Sequence, residues 1–140
     1  MQFKVKKLVP HAVLPTKAHP TDSGWDLYSA EDHLLNLQCP TLISLGISIE
    51  LPFGWEAQLR PRSSLSAKGV LAMFGTIDNG YRGDMKVNLI RIAINADRII
   101  RCGDRIAQMV IAPVYQFDMV EVNELTPSDR GEKGFGSSGR

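Results

Sequence analysis

Cysteine is nearly absent: Cys39 and Cys102 are the only two in 140 residues, and they stand far apart. Neither joins a pair or quartet with metal-ligand spacing, so a disulfide-rich framework and a zinc module are both excluded. The three histidines, His11, His19 and His33, show no ligand spacing either and read as surface residues. Charge of one sign is also missing. Sixteen Lys and Arg against fifteen Asp and Glu leave +1, and the longest basic run is Lys6-Lys7. Such a chain carries no nucleic-acid footprint, and an anionic partner has to be met by local donors. No apolar stretch approaches the roughly eighteen residues of a membrane span, and no signal-peptide apolar region opens the chain. The expectation is therefore a cytoplasmic protein with free thiols, binding neither membrane nor nucleic acid. Nothing calls for a long helix.

What is present is period two. A chain of this length, 44% hydrophobic and 22% charged, fits one soluble domain with a real core. Ile43, Leu45, Ile47, Ile49 and Leu51 alternate strictly and predict one strand, with Ser44, Gly46, Ser48 and Glu50 on its other face. Trp55, Ala57 and Leu59 alternate with Glu56, Gln58 and Arg60 as far as Pro61, a second half-buried strand. Residues 2–9 suit an edge strand guarded by lysines. In 24–30, Trp25 and Leu27 share one face and Asp26 takes the other. Residues 98–101, 105–112 and 114–122 add three more strands. About ten short strands separated by turn signals indicate an all-β, jelly-roll-like sandwich or barrel.

Three segments break the pattern. Residues 62–69, Arg-Ser-Ser-Leu-Ser-Ala-Lys-Gly, read as a short helical turn with capping serines and exposed N-terminal amides, a ready anion site. Residues 75–83, Gly-Thr-Ile-Asp-Asn-Gly-Tyr-Arg-Gly, centre on Asn79-Gly80, the strongest short signal for a two-residue hairpin with φ > 0 at both central positions. That turn would make Asp78 and Tyr81 cross-strand partners on one face, with 70–77 and 84–95 as its arms. Val87 and Leu89 oppose Ile90, Ile92 and Ile94, so the second arm is apolar on both faces and needs more cover than one small sandwich supplies. Residues 126–140 cannot bury themselves and read as a flexible Gly/Ser-rich arm appended to a domain of residues 1–125. The arm carries Arg130, Lys133, Phe135 and Ser137-Ser138, the parts of a lid over a base and a phosphate chain.

Five separated stretches thus hold polar or glycine-rich elements: 24–30, 62–69, 75–83, 103–108 and 130–139. In this order and spacing they resemble the five motifs of the homotrimeric dUTP pyrophosphatases, over essentially the whole chain. Gly-Thr-Ile-Asp-Asn-Gly-Tyr-Arg-Gly, Gly-Asp-Arg-Ile-Ala-Gln and Arg-Gly-Glu-Lys-Gly-Phe-Gly-Ser-Ser-Gly carry the likeness. It implies hydrolysis of dUTP to dUMP and pyrophosphate, with Asp78 activating the water that attacks the α-phosphorus. Tyr81 would stack beneath the deoxyribose. Uracil would be read by backbone between about Phe74 and Lys86, with Gly75 and Ile77 in that stretch and Phe135 over the base. Arg62, Ser63, Ser64 and Gln108 would contact phosphates, joined by Arg130, Gly136, Ser137 and Ser138 from the arm. Asp26 would meet Mg²⁺ through metal-bound water. The resemblance also implies a three-fold trimer whose sites draw on all three subunits.

Three departures narrow these expectations: Trp25 and Phe74 are larger than the residues common at their positions in the family, and Ser64 stands where the family often has Gly. Asp104 and Arg105 read as pinning the turn before a strand rather than acting in the chemistry. Alternatives within reach of the same residues are a dCTP deaminase or bifunctional relative on the same fold, and a nucleotide-responsive module without turnover.

Overall fold

The computed structural model describes residues 1–132 and 134. The described residues form eleven strands and a single helical turn. In chain order these are β1 (Lys4–Lys7), β2 (Trp25–Tyr28), β3 (His33–Leu34), β4 (Thr41–Ser44), β5 (Ile47–Glu50), β6 (Trp55–Arg60), α1 (Ser63–Ser66), β7 (Val70–Ala72), β8 (Gly75–Ile77), β9 (Lys86–Arg91), β10 (Ile99–Ile100) and β11 (Arg105–Pro113). A four-stranded sheet runs β2-β11-β6-β8 and a three-stranded sheet runs β4-β9-β7, with the short pairs β1-β5 and β10-β3 beside them. Every ladder is antiparallel.

Alternation decides what lies inside. Leu27, Ala57, Leu59, Ile106 and Met109 from the larger sheet join Ile43, Val70, Val87 and Leu89 from the smaller one in a single buried cluster. Fully burying one such aliphatic side chain stabilises the fold by about 1.5–3 kcal/mol, so this shared cluster is a main source of stability. The architecture is the expected all-β, jelly-roll-like sandwich.

The 43–51 run is not one strand. It divides between β4, which pairs with β9, and β5, which pairs with β1, and the break falls at Gly46 with φ +62. A left-handed glycine lets the chain turn a corner from one sheet to the next while period two is preserved on either side. The other face of the run is covered at its middle, at Gly46 and Ser48. Ser48 is only 5% exposed and its hydroxyl donates to the Arg82 carbonyl at 2.8 Å.

The Asn79-Gly80 hairpin also differs from its expectation. β7 and β9 do pair, Val70 opposite Arg91 and Ala72 opposite Leu89, but residues 73–85 connect them. Within that connection β8 crosses to the other sheet and pairs with β6, Gly75 opposite Leu59 and Ile77 opposite Ala57. Both edges of β9 are already taken by β4 and β7, so β8 has no place beside it. Neither Asn79 nor Gly80 takes positive φ. A tighter local turn remains, closed by the Tyr81 amide donating to the Asp78 carbonyl at 3.0 Å.

Two smaller expectations also fail. Residues 114–122 form no strand: β6, the partner that follows β11 as far as Pro113, begins at Trp55, and beyond it, among the described residues, only the Val114 amide finds the Gly54 carbonyl, at 2.8 Å. Their side chains stand in solvent, with Phe117 88% and Met119 98% exposed. Serine does not cap α1: the N-cap is Arg62, without a side-chain cap bond, while the Ser66 hydroxyl donates back to the Arg62 carbonyl at 3.0 Å.

Position 46 offers a direct stability test. A Cβ there would lie 2.6 Å from Val9 Cγ2 and 2.9 Å from Ala30 Cβ, in a backbone conformation that L residues avoid. Gly46→Ala is expected to destabilise by about 2–4 kcal/mol in urea denaturation. Gly54→Ala, at φ +81 with nothing within 4 Å, incurs only the backbone penalty of about 1–2 kcal/mol.

Candidate active site

The pairing of β2 with β11 builds the first half of the site. Gln108 lies opposite Asp26 in the ladder, and the same Gln108 lies opposite Arg60 of β6, two residues before Arg62. Asp26, 18% exposed at its side chain, accepts the Arg62 Nε–H on Oδ1 at 2.9 Å and an Arg105 Nη1–H on Oδ2 at 3.2 Å. Arg62 Nη1 also donates to the Arg105 carbonyl at 3.0 Å. Gln108 Nε2 donates to the Pro61 carbonyl at 2.9 Å, and its side chain packs directly on the bare α-carbon of Gly24. Ser63 and Ser64 at the start of α1 complete the wall, and among the described residues their amides make no backbone hydrogen bond. The cavity so enclosed has a volume of about 380 Å³. Two guanidinium groups, two hydroxyls, free amides and a carboxamide converge on it, which is what a polyphosphate requires of a nearly neutral protein.

Arg105 belongs to this cavity, contrary to the expectation that it only pins a turn. Asp104 does pin it, accepting the Arg101 amide on Oδ2 at 2.8 Å. In a regular strand Arg105 and Gln108, three apart, would face opposite sides. A register shift between Arg105 and Ala107 turns Arg105 to the side of Gln108 and Asp26. No local sequence signal announces that bulge. Asp22 also lines the cavity, its carboxylate accepting the His19 amide at 2.8 Å. Trp25, beside Asp26, packs edge-on against Phe3, with the Lys17 ammonium 5.1 Å from its ring centre.

The second half sits elsewhere. Phe74, 80% exposed, lines with Gly75 and Thr76 a cleft that shares Gln108 and Pro61 with the first cavity's surroundings. Asp78 lines a different cavity, against Phe53, Trp55 and Glu56. Because β8 runs antiparallel to β6, Asp78 lies at the Trp55 end while Arg62 follows the Arg60 end. Six residue steps of extended chain from Glu56, beside Asp78, to Arg62 separate the two by about 20 Å. Tyr81 Oη donates to the Asp84 carbonyl at 2.9 Å and its ring lies over Gly83, where an added Cβ would meet Cζ at 2.6 Å. Ile77 is half-buried behind the turn, and Lys86 opens β9, exposed and opposite Ser44. Arg130 is exposed and lies in the turn where the Gly131 amide donates to the Ser128 carbonyl. Phe135, Gly136, Ser137 and Ser138 fall outside the described residues.

No group of three or more His, Cys, Asp or Glu able to hold a metal occurs among the described residues. The first cavity presents Asp26 and Asp22 alone, and Asp26 is already engaged by two arginines. That donor set suits a Mg²⁺ ion that keeps most of its water, not one ligated directly by protein.

A family model described as dUTPase matches residues 10–139. The chain belongs to the dUTPase family. Among its relatives, deoxyuridine 5′-triphosphate nucleotidohydrolase of Clostridioides difficile is 48% identical over 140 residues, covering 98% of this chain and 97% of the relative. The protein of the same description from Helicobacter hepaticus is 46% identical over 142 residues, covering 99% and 89%. Among solved structures, the dUTPase of Staphylococcus bacteriophage 80alpha, a G164S mutant with dUpNHpp, superposes with a TM-score of 0.92 at 31% identity over 99% of both chains. The D95N dUTPase of phage phi11, whose structure shows a structural Mg(II) ion, gives 0.83 at 27% identity over 91% of this chain and 100% of that one.

Removing one guanidinium tests this dUTPase cavity. Arg105→Ala is expected to weaken binding of inorganic pyrophosphate roughly tenfold or more by calorimetry, the worth of a charge-assisted hydrogen bond. Arg105 is half exposed, so its loss should leave the melting temperature within a few degrees.

Proposed function

We propose that this chain hydrolyses dUTP to dUMP and pyrophosphate, with Asp78 as the base that activates water for attack on the α-phosphorus. The observation that carries the reading is the cavity in which Arg62, Arg105, Ser63, Ser64 and Gln108 surround Asp26. Arg62, the Ser63 hydroxyl and the Ser64 amide hold the triphosphate, and Gln108, fixed by Pro61 and Gly24, meets the α-phosphate. Mg²⁺, when bound, neutralises phosphate charge and fixes the chain of phosphates. Asp26 would then accept hydrogen bonds from the ion's water, while Arg62 and Arg105 would donate to phosphate oxygens. Tyr81, laid over Gly83, offers its ring face to the deoxyribose and leaves no room for a 2′-hydroxyl. Bare backbone through Gly75 and Ile77 toward Lys86 reads uracil, and rejects cytosine because its exocyclic amine leaves buried groups unpaired. Phe74, being largely exposed, contributes through its backbone.

The separation of about 20 Å between Asp78 and Arg62 supports sites assembled from several copies, with the hairpin of one chain facing the phosphate cavity of another. Exposed apolar side chains support the same trimer: Ile94 is 73% exposed on the segment that was expected to need cover. Residues 126–140 form the arm that completes each site, Phe135 over the base and Arg130, Gly136, Ser137 and Ser138 at the distal phosphates. Exposed, unpaired Cys39 and Cys102 suit the cytoplasm, and no described helix is long and apolar enough to cross a membrane.

Asp78→Asn keeps the shape and loses the proton acceptor. It should abolish pyrophosphate release from dUTP while binding of dUpNHpp survives; near-normal turnover in this variant would remove Asp78 from the mechanism. Truncation after Ser128 should leave a folded trimer by light scattering with activity reduced at least about a hundredfold. A substrate panel separates the relatives: pyrophosphate from dUTP but not from dCTP, dTTP or UTP is expected, whereas ammonia from dCTP would indicate the deaminase chemistry.

A further inference from the structure

Residues 78–85, between the end of β8 and the start of β9, lie outside every ladder, yet they carry Asp78 and Tyr81. Something other than strand pairing holds them. The Met85 amide donates to the Ile47 carbonyl at 2.8 Å and the Ser48 hydroxyl donates to the Arg82 carbonyl at 2.8 Å, so the far side of the loop is tied to β5. On the near side the Tyr81 amide donates to the Asp78 carbonyl at 3.0 Å and the Tyr81 hydroxyl to the Asp84 carbonyl at 2.9 Å, and one longer side chain spans the turn. Arg82 Nη1 donates to the Asn79 carbonyl at 2.5 Å and to the Tyr81 carbonyl at 2.9 Å, gathering both under one guanidinium.

This contact works against the local sequence. Asn-Gly favours a turn with positive φ at both central positions, and here neither residue adopts it. Changing to that turn reorients the central peptide groups, the Asn79 carbonyl among them, and Arg82 holds that carbonyl where it is. The guanidinium is itself steered: its Nε lies 4.0 Å from Glu50 Oε2, and Glu50 Oε1 accepts the Lys4 ammonium at 2.6 Å. Lys4, then Arg82 more weakly, hold the Glu50 carboxyl below the usual carboxylate range, which keeps it charged toward Arg82. A relay thus runs from edge strand β1 through Glu50 of β5 to the turn.

We infer that Arg82 is a positioning residue: by clamping the Asn79 and Tyr81 carbonyls it holds Asn-Gly out of its preferred turn and keeps Asp78 and Tyr81 aimed at the nucleotide, with Glu50 setting where the clamp sits. The inference rests on the role proposed for Asp78. Asp78 acts in the chemical step and Tyr81 in binding, so kcat and KM both respond. Arg82→Ala in the full-length protein should lower kcat about tenfold or more, beyond any rise in KM for dUTP, as displacement of a reacting group predicts. Arg82→Lys, which can still donate to both carbonyls but loses the planar fork toward Glu50, should recover part of that loss.

The decisive comparison uses Asn79→Ala, because alanine resists positive φ and so removes much of the relaxation that Arg82 prevents. In that background Arg82→Ala should lower kcat by a clearly smaller factor than in the parent. Equal factors in both backgrounds, or a parent kcat within about twofold after Arg82→Ala, would overturn the clamp. If Arg82→Ala does not fold, Arg82→Lys and Glu50→Gln are compared in the same two backgrounds, with the same result required. Asp78→Asn measured alongside separates the two levels. Turnover by Asp78→Asn would remove the reading on which the clamp rests, whereas an inactive Asp78→Asn beside a fully active Arg82→Ala removes the clamp alone.

Discussion

Strand β6 is hydrogen-bonded on both edges, to β11 on one side and β8 on the other, and the two ladders fix where the chemical groups lie. Through β11 it brings Gln108, and with it Asp26 and Arg105, level with the chain leading to Arg62. Through β8 it carries the Asp78 turn toward its opposite end. A slip of one residue in either ladder would turn the buried Ala57 and Leu59 to solvent, so the core that stabilises the fold also guards the register of the site. For the groups carried on these ladders, precision is inherited from packing.

The electrostatics follow the same economy. With a net charge of +1, the protein has no broad field to draw in a polyanion. It concentrates two arginines at one carboxylate instead, where Arg62 and Asp26 are each about four-fifths buried at their side chains. Before ligand arrives, Asp26 keeps both guanidinium groups compensated and oriented. An incoming phosphate chain with its cation can take over those donors without the guanidinium groups first having to be ordered. Elsewhere paired charges fasten loops: Asp32 accepts the Cys102 amide and the Arg101 guanidinium, which hold its carboxyl below the ordinary range and tie the loop after β2 to the turn before β11.

How much of this the sequence reveals depends on the range of the interaction concerned. The all-β class and strands such as β6 are legible because period two is a local property. The site segments are legible because their chemistry is packed into short runs, Arg62-Ser63-Ser64 and Asp78 to Tyr81 among them. The corner at Gly46 is invisible to periodicity, since the alternation continues through it. The Asn79-Gly80 hairpin fails because β9 has both edges occupied, a fact about strands distant in sequence. Residues 114–122 alternate well enough for a strand, but alternation records a capacity to pair and says nothing of a partner. Arg105 is missed for the subtlest reason, a single-residue bulge that reverses the side it faces.

Gly83 shows what such a site permits over evolutionary time. Only a hydrogen separates its α-carbon from the Tyr81 ring, so any larger residue there must lift the ring or displace the loop. Three residues earlier, a Cβ on Gly80 would meet nothing within 4 Å. Neighbouring glycines of one turn therefore face very different mutational futures: position 80 is open to drift, whereas at position 83 even one methyl group reaches the surface proposed to sort deoxyribose from ribose.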